Sequence, residues 1–276
     1  MCCKNTDFDS LDFLGVTKHV LPSSSGERSR RAVQSVMIMK NAGHDFEHGL
    51  LLDLGCGTAN LTRYYVNLGI DAIGVDISSH LNELKRDFHT LELLRGNGLS
   101  LPFKDHVFHT IVLNDVLEHI DYAYADKVMH EIKRLLDDKG MLYMSVANRY
   151  LIMEPHKMIP FLTWFPKPTW NAVFIIASRL RHSDLSYYTE CPYTKKELKA
   201  LCERNGLSYN DYTWFYAYSK IHKLGSVIEN PYINKLVSIF SHLGLTNILL
   251  VLAEKVSILV FVCKPKRRSG LITLNM

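Results

Sequence analysis

The 276-residue chain is long enough for one large domain, and its 47% hydrophobic and 22% charged content is that of an ordinary globular protein. A formal net charge of +4 is small for this length and argues against a protein dedicated to binding nucleic acid. The six cysteines lack the paired spacing of zinc ligands or of a disulfide framework, which predicts a reducing, cytoplasmic compartment and no metal site.

Residues 1–48 are predicted to form an irregular lead-in followed by one helix. The lead-in lacks the basic-then-apolar pattern of a secretion signal, which agrees with a cytoplasmic location. The helix is expected from Gly26 to Asn41, where apolar residues recur at helical spacing. Three arginines in its first half are interpreted as a solvent-exposed face: Arg28, Arg30 and Arg31.

Residues 50–60, LLLDLGCGTAN, predict a strand, a glycine turn and the start of a helix. The apolar run from Leu50 to Leu54 is interrupted by Asp53 alone, as in a buried parallel strand. Gly55 and Gly57 then allow a sharp turn and a close approach of the backbone to a ligand. In doubly wound folds such a unit binds its ligand at the carboxyl end of the strand.

The second strand is predicted from Ile70 to Ile77 and carries Asp76 near its end. An acidic side chain at this point, roughly twenty residues after the glycine turn, is placed to accept hydrogen bonds from ribose hydroxyls. The alternative is that Asp76 caps the next helix, although Ser78 or Ser79 could also take that role.

The motifs D-L-G-C-G-T and G-V-D-I-S together resemble those of the class I S-adenosylmethionine-dependent methyltransferases. The dehydrogenase fingerprint G-x-G-x-x-G would require glycine at Asn60. The resemblance is best in the core, residues 49–148, and implies a Rossmann-like, doubly wound α/β fold whose seven-stranded sheet is mostly parallel. It implies S-adenosylmethionine as cofactor and the following contact residues: Asp53, Gly55, Cys56, Gly57, Asp76, Ile77, Asn97, Gly98, Leu99 and Asn114.

The loop that follows a third strand, Leu91 to Leu94, carries Asn97. In the resembled family this loop holds an acidic residue and then small and apolar residues that border the adenine, and Asn97 stands where aspartate is usual. An asparagine amide can still donate and accept hydrogen bonds at the adenine edge. A plain Gly/Asn/Pro turn is the alternative interpretation.

The end of the predicted fourth strand, Thr110 to Leu113, reads N-D-V-L-E-H. This pattern resembles the small-molecule, quinone and lipid methyltransferases. The chain lacks, at this position, the Asn/Asp-Pro-Pro-aromatic run of base amino methylases and the Pro-Cys nucleophile of pyrimidine methylases. His119 could be a general base, since histidine titrates near neutral pH, or it could be a structural residue.

Residues 149–193 interrupt the regular alternation of strands and helices, and we expect them to form a lid over the acceptor. Prolines break their apolar run, so it cannot form a spanning helix. Five large aromatic residues predict an apolar acceptor: Phe161, Trp164, Phe165, Trp170 and Phe174. Residues 158–177 could touch a membrane surface, or the lid could pack wholly on its own domain. His156 is a second candidate base.

Residues 194–264 are predicted to complete the sheet. A helix from Thr194 to Asn205 carries a capping box, strand six runs from Ser208 to Ala217, and strand seven from Val256 to Cys263. A helical insertion separates the two strands at 218–255, and a basic tail follows at 265–276.

The sequence therefore predicts an S-adenosylmethionine-dependent methyltransferase that acts on a small-molecule or lipid-like acceptor. The methylated atom and the oligomeric state stay open. A cofactor-binding scaffold that has lost catalysis is the alternative from another class, and an RNA methyltransferase is disfavoured by the modest charge.

Overall fold

A seven-stranded sheet forms the centre of the computed structural model, which describes residues 27–154, 159–180, 189–221, 239, 242, 246–255 and 257–266. The strands are β1 (Leu50–Leu54), β2 (Ala72–Asp76), β3 (Glu92–Arg95), β4 (Phe108–Asn114), β5 (Leu136–Val146), β6 (Leu207–Asp211) and β7 (Leu259–Pro265). The helices are α1 (Glu27–Asn41), α2 (Asn60–Asn67), α3 (Leu81–Asp87), α4 (Tyr122–Leu135), α5 (Trp170–Leu180), α6 (Lys195–Arg204), α7 (Thr213–Ile221) and α8 (Thr246–Lys255). The predicted lead-in and almost all of the basic tail lie outside the described residues.

The strand order is β3-β2-β1-β4-β5-β7-β6. The first five of these strands pair in parallel, whereas β7 pairs antiparallel with both β5 and β6. The predicted doubly wound, mostly parallel sheet is thereby confirmed. Because parallel strands end at the same edge of a sheet, the turns that follow β1, β2 and β4 are neighbours.

Helices cover both faces of the sheet, which explains why its central strands are mostly apolar. In β4, Ile111 and Leu113 join the cluster packed by α4 and α6, whereas Val112 joins the cluster packed by α1, α2 and α7. All three side chains are fully buried. Successive residues of a strand point to opposite faces, so a strand covered on both sides needs a continuous apolar run.

The predicted capping box at the start of α6 is confirmed. Thr194 Oγ1 accepts a hydrogen bond from Glu197 N–H at 3.2 Å, and the Glu197 carboxylate accepts one from Thr194 N–H at 2.8 Å. Arg149 donates to both oxygens of the same carboxylate, at 2.8 and 2.7 Å. The start of α6 therefore anchors the first residue of the predicted lid.

The predicted strand six is wrong in its second half. β6 ends at Asp211, and α7 begins two residues later, where Asp211 Oδ1 accepts a hydrogen bond from Thr213 N–H at 3.0 Å. Phe215 and Tyr216 have high strand propensity, but as helical residues they are buried against the second face of the sheet. This tertiary packing outweighs their local preference for a strand. The predicted start of strand seven also differs, because β7 begins at Leu259 rather than at Val256.

None of the described helices combines the length and the apolarity that crossing a lipid bilayer requires.

A buried histidine lies near the start of β4, at the edge of the sheet opposite the glycine turn. His44 is 8% exposed, and its Nε2 lies 2.6 Å from Thr110 Oγ1. Its ring stacks on His109 with centroids 5.0 Å apart. Burial, followed by the charge of His109, lowers the pKa of His44 to about 4.

We expect His44 to make the fold sensitive to acid. The unfolded chain binds a proton at His44 near pH 6.5, whereas the folded protein binds it near pH 4, so stability is full above pH 6.5 and is lost as the pH falls towards 4. Between pH 7 and pH 5 the loss from this group is on the order of 2 kcal/mol. Thermal unfolding should show a smaller drop in His44→Gln, and an equal drop in both proteins would contradict this assignment.

Candidate active site

Backbone hydrogen bonds fasten the turn after β1 to the end of β2. The N–H groups of Gly55 and Cys56 both donate to Val75 O, at 2.7 and 3.1 Å. Gly57 N–H donates to the Asp76 carboxylate at 2.8 Å. The structure thereby brings the glycine turn and the acidic end of β2 into direct contact.

The two glycines of the turn meet different surroundings. Their φ angles are +79° for Gly55 and +53° for Gly57, a region that favours glycine. A Cβ added to Gly55 would lie 2.3 Å from Val116 Cγ2, because the backbone passes close to the loop after β4. A Cβ added to Gly57 would meet nothing within 4 Å. The backbone at Gly57 therefore borders open space that a ligand can approach.

Asp53 and Cys56 lie beneath the turn. Asp53 is 2% exposed, and its Oδ2 accepts a hydrogen bond from Thr62 Oγ1 of α2 at 2.6 Å. Burial raises the pKa of Asp53 to about 6, against the opposing effect of the Thr62 hydrogen bonds. The Cys56 side chain packs in an apolar cluster with Leu81 and Leu84, so its thiol belongs to the core.

Asp76 binds two backbone N–H groups, one with each carboxylate oxygen. Oδ1 accepts from Ser78 and Oδ2 from Gly57, both at 2.8 Å. The helix-cap alternative is wrong, because α3 begins at Leu81 and its cap residue is His80. An ionised carboxylate has further acceptor capacity, so the half-buried Asp76 can still bind hydroxyl groups.

The Asn97 loop lies against the end of β1. Asn97 Oδ1 accepts a hydrogen bond from Leu99 N–H at 3.0 Å, as in the plain turn of the alternative interpretation. A Cβ added to Gly98 would lie 3.6 Å from Leu54 Cδ1. Ile77, directly after Asp76, is 65% exposed and so presents an apolar surface beside these turns.

Asn114 ends β4 in a polar network that the sequence analysis missed. Ser145 Oγ of β5 lies 2.9 Å from Asn114 Oδ1 and 2.8 Å from Asp115 Oδ1. Asp115 also forms an ion pair with Arg31 of α1. The interpretation of Arg31 as part of a solvent-exposed face is therefore wrong. α1 packs on the sheet, and this packing places the guanidinium at the tip of β4.

His119 ends a short 3-10 helix, Leu117–His119, which follows β4. Its Nδ1 lies 2.6 Å from Glu190 Oε2, and its side chain is 44% exposed. The neighbouring Glu118 is 2% exposed, and its Oε1 accepts a hydrogen bond from Ala147 N–H at 3.1 Å. Its Oε2 has no hydrogen-bond partner within the described part of the chain. One imidazole and two carboxyl groups thus meet beyond β4.

The protonation of this group is tuned close to neutral pH. The Glu190 carboxylate beside Nδ1 raises the pKa of His119, against the opposing effect of partial burial. Burial raises the pKa of Glu118 to about 7. Ionisable groups whose pKa values are shifted by burial and by neighbouring charges are typical of functional sites.

Glu190 reaches His119 because the last residues of the predicted lid are fastened to the core. Three hydrogen bonds hold them: Cys191 N–H to Glu118 O (2.6 Å), Tyr193 N–H to Ala147 O (2.9 Å) and the Tyr122 hydroxyl to Pro192 O (2.5 Å). No local pattern marks Glu190, because its role depends on a partner that is distant in the chain. His156, the other candidate base, lies outside the described residues.

The aromatic residues of the lid separate into two groups. Trp170 and Phe174 are buried with Ile159 and Leu162 in an apolar cluster of the lid itself. Three others remain 46–49% exposed: Phe161, Trp164 and Phe165. The lid thus has a small core of its own and an apolar outer surface.

Comparisons with known proteins agree with this geometry. A family model described as "Methyltransferase domain" matches residues 52–144. A demethylmenaquinone methyltransferase of Staphylococcus saprophyticus is 31% identical over 166 residues, which cover 57% of this chain and 69% of that protein. An uncharacterised protein of Methanocaldococcus jannaschii is 40% identical over 103 residues, or 36% of this chain. This chain spans 41%, 54% and 38% of the length of three uncharacterised relatives, about half or less.

Two solved structures show the same fold at low sequence identity. A protein of Pyrococcus horikoshii is 15% identical with a TM-score of 0.52, over 88% of this chain and 93% of its own. A structure titled as an S-adenosylmethionine-dependent methyltransferase of Methanosarcina mazei is 15% identical with a TM-score of 0.51, over 82% and 97%. Together with the staphylococcal relative, the fold and the matched domain confirm the predicted family: the chain belongs to the class I S-adenosylmethionine-dependent methyltransferases.

Proposed function

We propose that this protein transfers the methyl group of S-adenosylmethionine to a small-molecule or lipid-like acceptor. The observation that carries the proposal is the open side of the Gly57 backbone, which is held beside the Asp76 carboxylate. Catalytically inactive members of a family can retain such a cradle, but here the cradle lies at the same edge of the sheet as the His119 group.

Residues around the turn supply the groups that the cofactor requires. Asp76 offers acceptor oxygens for the ribose hydroxyls, and Gly55 and Gly57 allow close backbone approach. Asp53 supports the cofactor site from below the glycine turn, because its hydrogen bond with Thr62 holds the first turn of α2 in place. The remaining contacts are assigned to a second group of residues: Cys56 through its backbone, Ile77, Asn97, Gly98 and Leu99 at the adenine, and Asn114 at the methionine portion.

When bound, S-adenosylmethionine supplies an electrophilic methyl group, so the protein has mainly to align the acceptor and exclude water. His119 takes the proton that the acceptor releases. Glu190 is a positioning residue: it holds Nδ1 and thereby directs the opposite edge of the ring. Residues 149–193 form the acceptor lid and deliver Glu190 to this position.

Relatives suggest the first acceptors to test. Several are named demethylmenaquinone methyltransferases, and one is named a ubiquinone biosynthesis O-methyltransferase. The apolar lid agrees with an acceptor of the quinone-precursor class. The direct test is the formation of S-adenosylhomocysteine from S-adenosylmethionine in the presence of such acceptors. Binding of the cofactor without turnover on any acceptor in a labelled-extract screen would instead support the scaffold alternative.

Cofactor binding should depend on the open side of Gly57. Gly57→Ala places a methyl group in the space assigned to the cofactor, so the affinity for S-adenosylhomocysteine should fall at least ~10-fold in calorimetry. Gly43→Ala is the matched control, because Gly43 also has a positive φ angle, +77°, and an open surrounding. Both variants carry similar backbone strain, so equal affinities in the two would contradict the assigned site.

The fall of the methyl-transfer rate at low pH, the acid limb of its pH profile, should depend on Glu190. A base must be unprotonated, so transfer by the wild type should fall as the pH drops through the raised pKa of His119. Glu190→Gln removes the charge that raises this pKa, and the acid limb should therefore move to lower pH. An NMR titration of the His119 imidazole should show the same shift, and Glu92→Gln on β3 is the control. If Glu190→Gln shifts the titration of His119 but leaves the acid limb where it was, His119 is not the base.

A further inference from the structure

The last helix of the lid, α5, has an apolar side that is buried only in part. Trp170 and Phe174 of α5 face the core of the lid, four residues apart. A second stripe adjoins these residues at the spacing i, i+3, i+4 and i+7: Val173, Ile176, Ala177 and Leu180. Val173 and Ala177 also pack against the core of the lid. In this stripe Ile176 is 60% exposed and Leu180 is 79% exposed. Large apolar side chains that are exposed next to one another mark a surface that binds a partner.

The second stripe forms one wall of an apolar groove. The groove has a volume of about 320 Å³ and is lined by Ile159, Pro160, Val173, Ile176, Ala177 and Leu180. No polar side chain is among these lining residues, so the groove can bind apolar groups but offers no side-chain hydrogen bond to orient a polar ligand.

Exposed aromatic rings continue the apolar surface beyond the groove. Phe161 directly follows Pro160, and its ring packs edge-to-face on Trp164 with centroids 5.3 Å apart. Trp164 Nε1 donates to Leu151 O at 3.0 Å, so the polar atom of this ring is satisfied while half of the side chain stays exposed. We call Phe161, Trp164, Phe165, Ile176 and Leu180 the outer lid face.

The sequence of the segment that carries the outer lid face is basic. The sequence contains no acidic residue between Glu154 and Asp184, a stretch that carries four basic residues: Lys157, Lys167, Arg179 and Arg181. The single described carboxylate close to Lys167 is Glu197 of α6, 3.6 Å away. An apolar face with basic residues alone in its own segment is complementary to a surface that is apolar inside and anionic outside.

We propose that the outer lid face docks onto the surface of an anionic phospholipid bilayer. The exposed rings and the α5 stripe enter the boundary between headgroups and acyl chains, and Lys167 and Arg179, the basic residues of this segment that the structure describes, meet the lipid phosphates. A helical protein partner would also accept the α5 stripe, but it would not explain the aromatic extension or the lack of acidic residues. The inference rests on this surface and does not depend on methyl transfer.

Vesicle sedimentation with the full chain tests this inference. Wild type should sediment with phosphatidylcholine–phosphatidylglycerol vesicles, less with pure phosphatidylcholine, and less again at high salt. Ile176→Glu/Leu180→Glu should weaken binding to the anionic vesicles at least ~10-fold, since two charges would have to enter the interface. Val107→Glu/Tyr124→Glu is the matched control, because these residues are 40% and 47% exposed outside the lid.

If Ile176→Glu/Leu180→Glu, the lid variant, keeps its affinity for S-adenosylhomocysteine, the cofactor-binding core of the variant is folded. Wild type that stays in the supernatant with anionic vesicles would overturn the inference. An equal loss of vesicle binding in the lid variant and the control variant would also overturn it. A dimer in light scattering that the lid variant dissociates, without vesicle binding by wild type, would instead identify the face as a contact between two copies of the chain.

Discussion

The contact between the glycine turn and the end of β2 is the constraint on which the rest of the site depends. Val75 O accepts two N–H groups of the turn, and the Asp76 carboxylate accepts a third. A side chain at Gly55 would collide with Val116, so the same turn is also pressed against the loop after β4. Three neighbouring strand ends are thereby held in one arrangement. Gly55 packs against the loop after β4, whereas the backbone at Gly57 stays open to a ligand.

The group of His119, Glu118 and Glu190, to which we assign proton transfer, adjoins that turn but comes from other parts of the chain. Its imidazole follows β4, whereas Glu190 arrives with the last residues of the lid. The backbone bond from Cys191 to Glu118 O joins the two segments beside the buried Glu118 carboxyl group. Because burial and the Glu190 charge both act on these pKa values, any movement of the lid end would change the proton affinity of the site.

The segment proposed as the lid contains two sets of apolar residues. Trp170 and Phe174 give it a small core, which the anchoring pair of Arg149 and Glu197 connects to α6. The exposed residues on its outer side contribute nothing to that core. The aromatic richness of this segment is thus explained only in part by folding, and the remainder is the basis of the proposed membrane contact.

The sequence by itself predicted the parallel sheet through its alternation of strands and helices. It predicted the glycine turn, the acidic end of β2 and the capping box of α6 because each of these depends on residues that are close together in the chain. The residue types from Asp53 to Gly57 indicate a tight glycine turn, and those from Thr194 to Glu197 indicate a capping box. Tertiary structure alone decided the rest. Phe215 became helical because burial against the sheet outweighed its strand propensity, and Arg31 reached Asp115 because α1 packs beside β5. Glu190 met His119 only through the docking of the lid, since a contact between distant residues leaves no local pattern in one sequence.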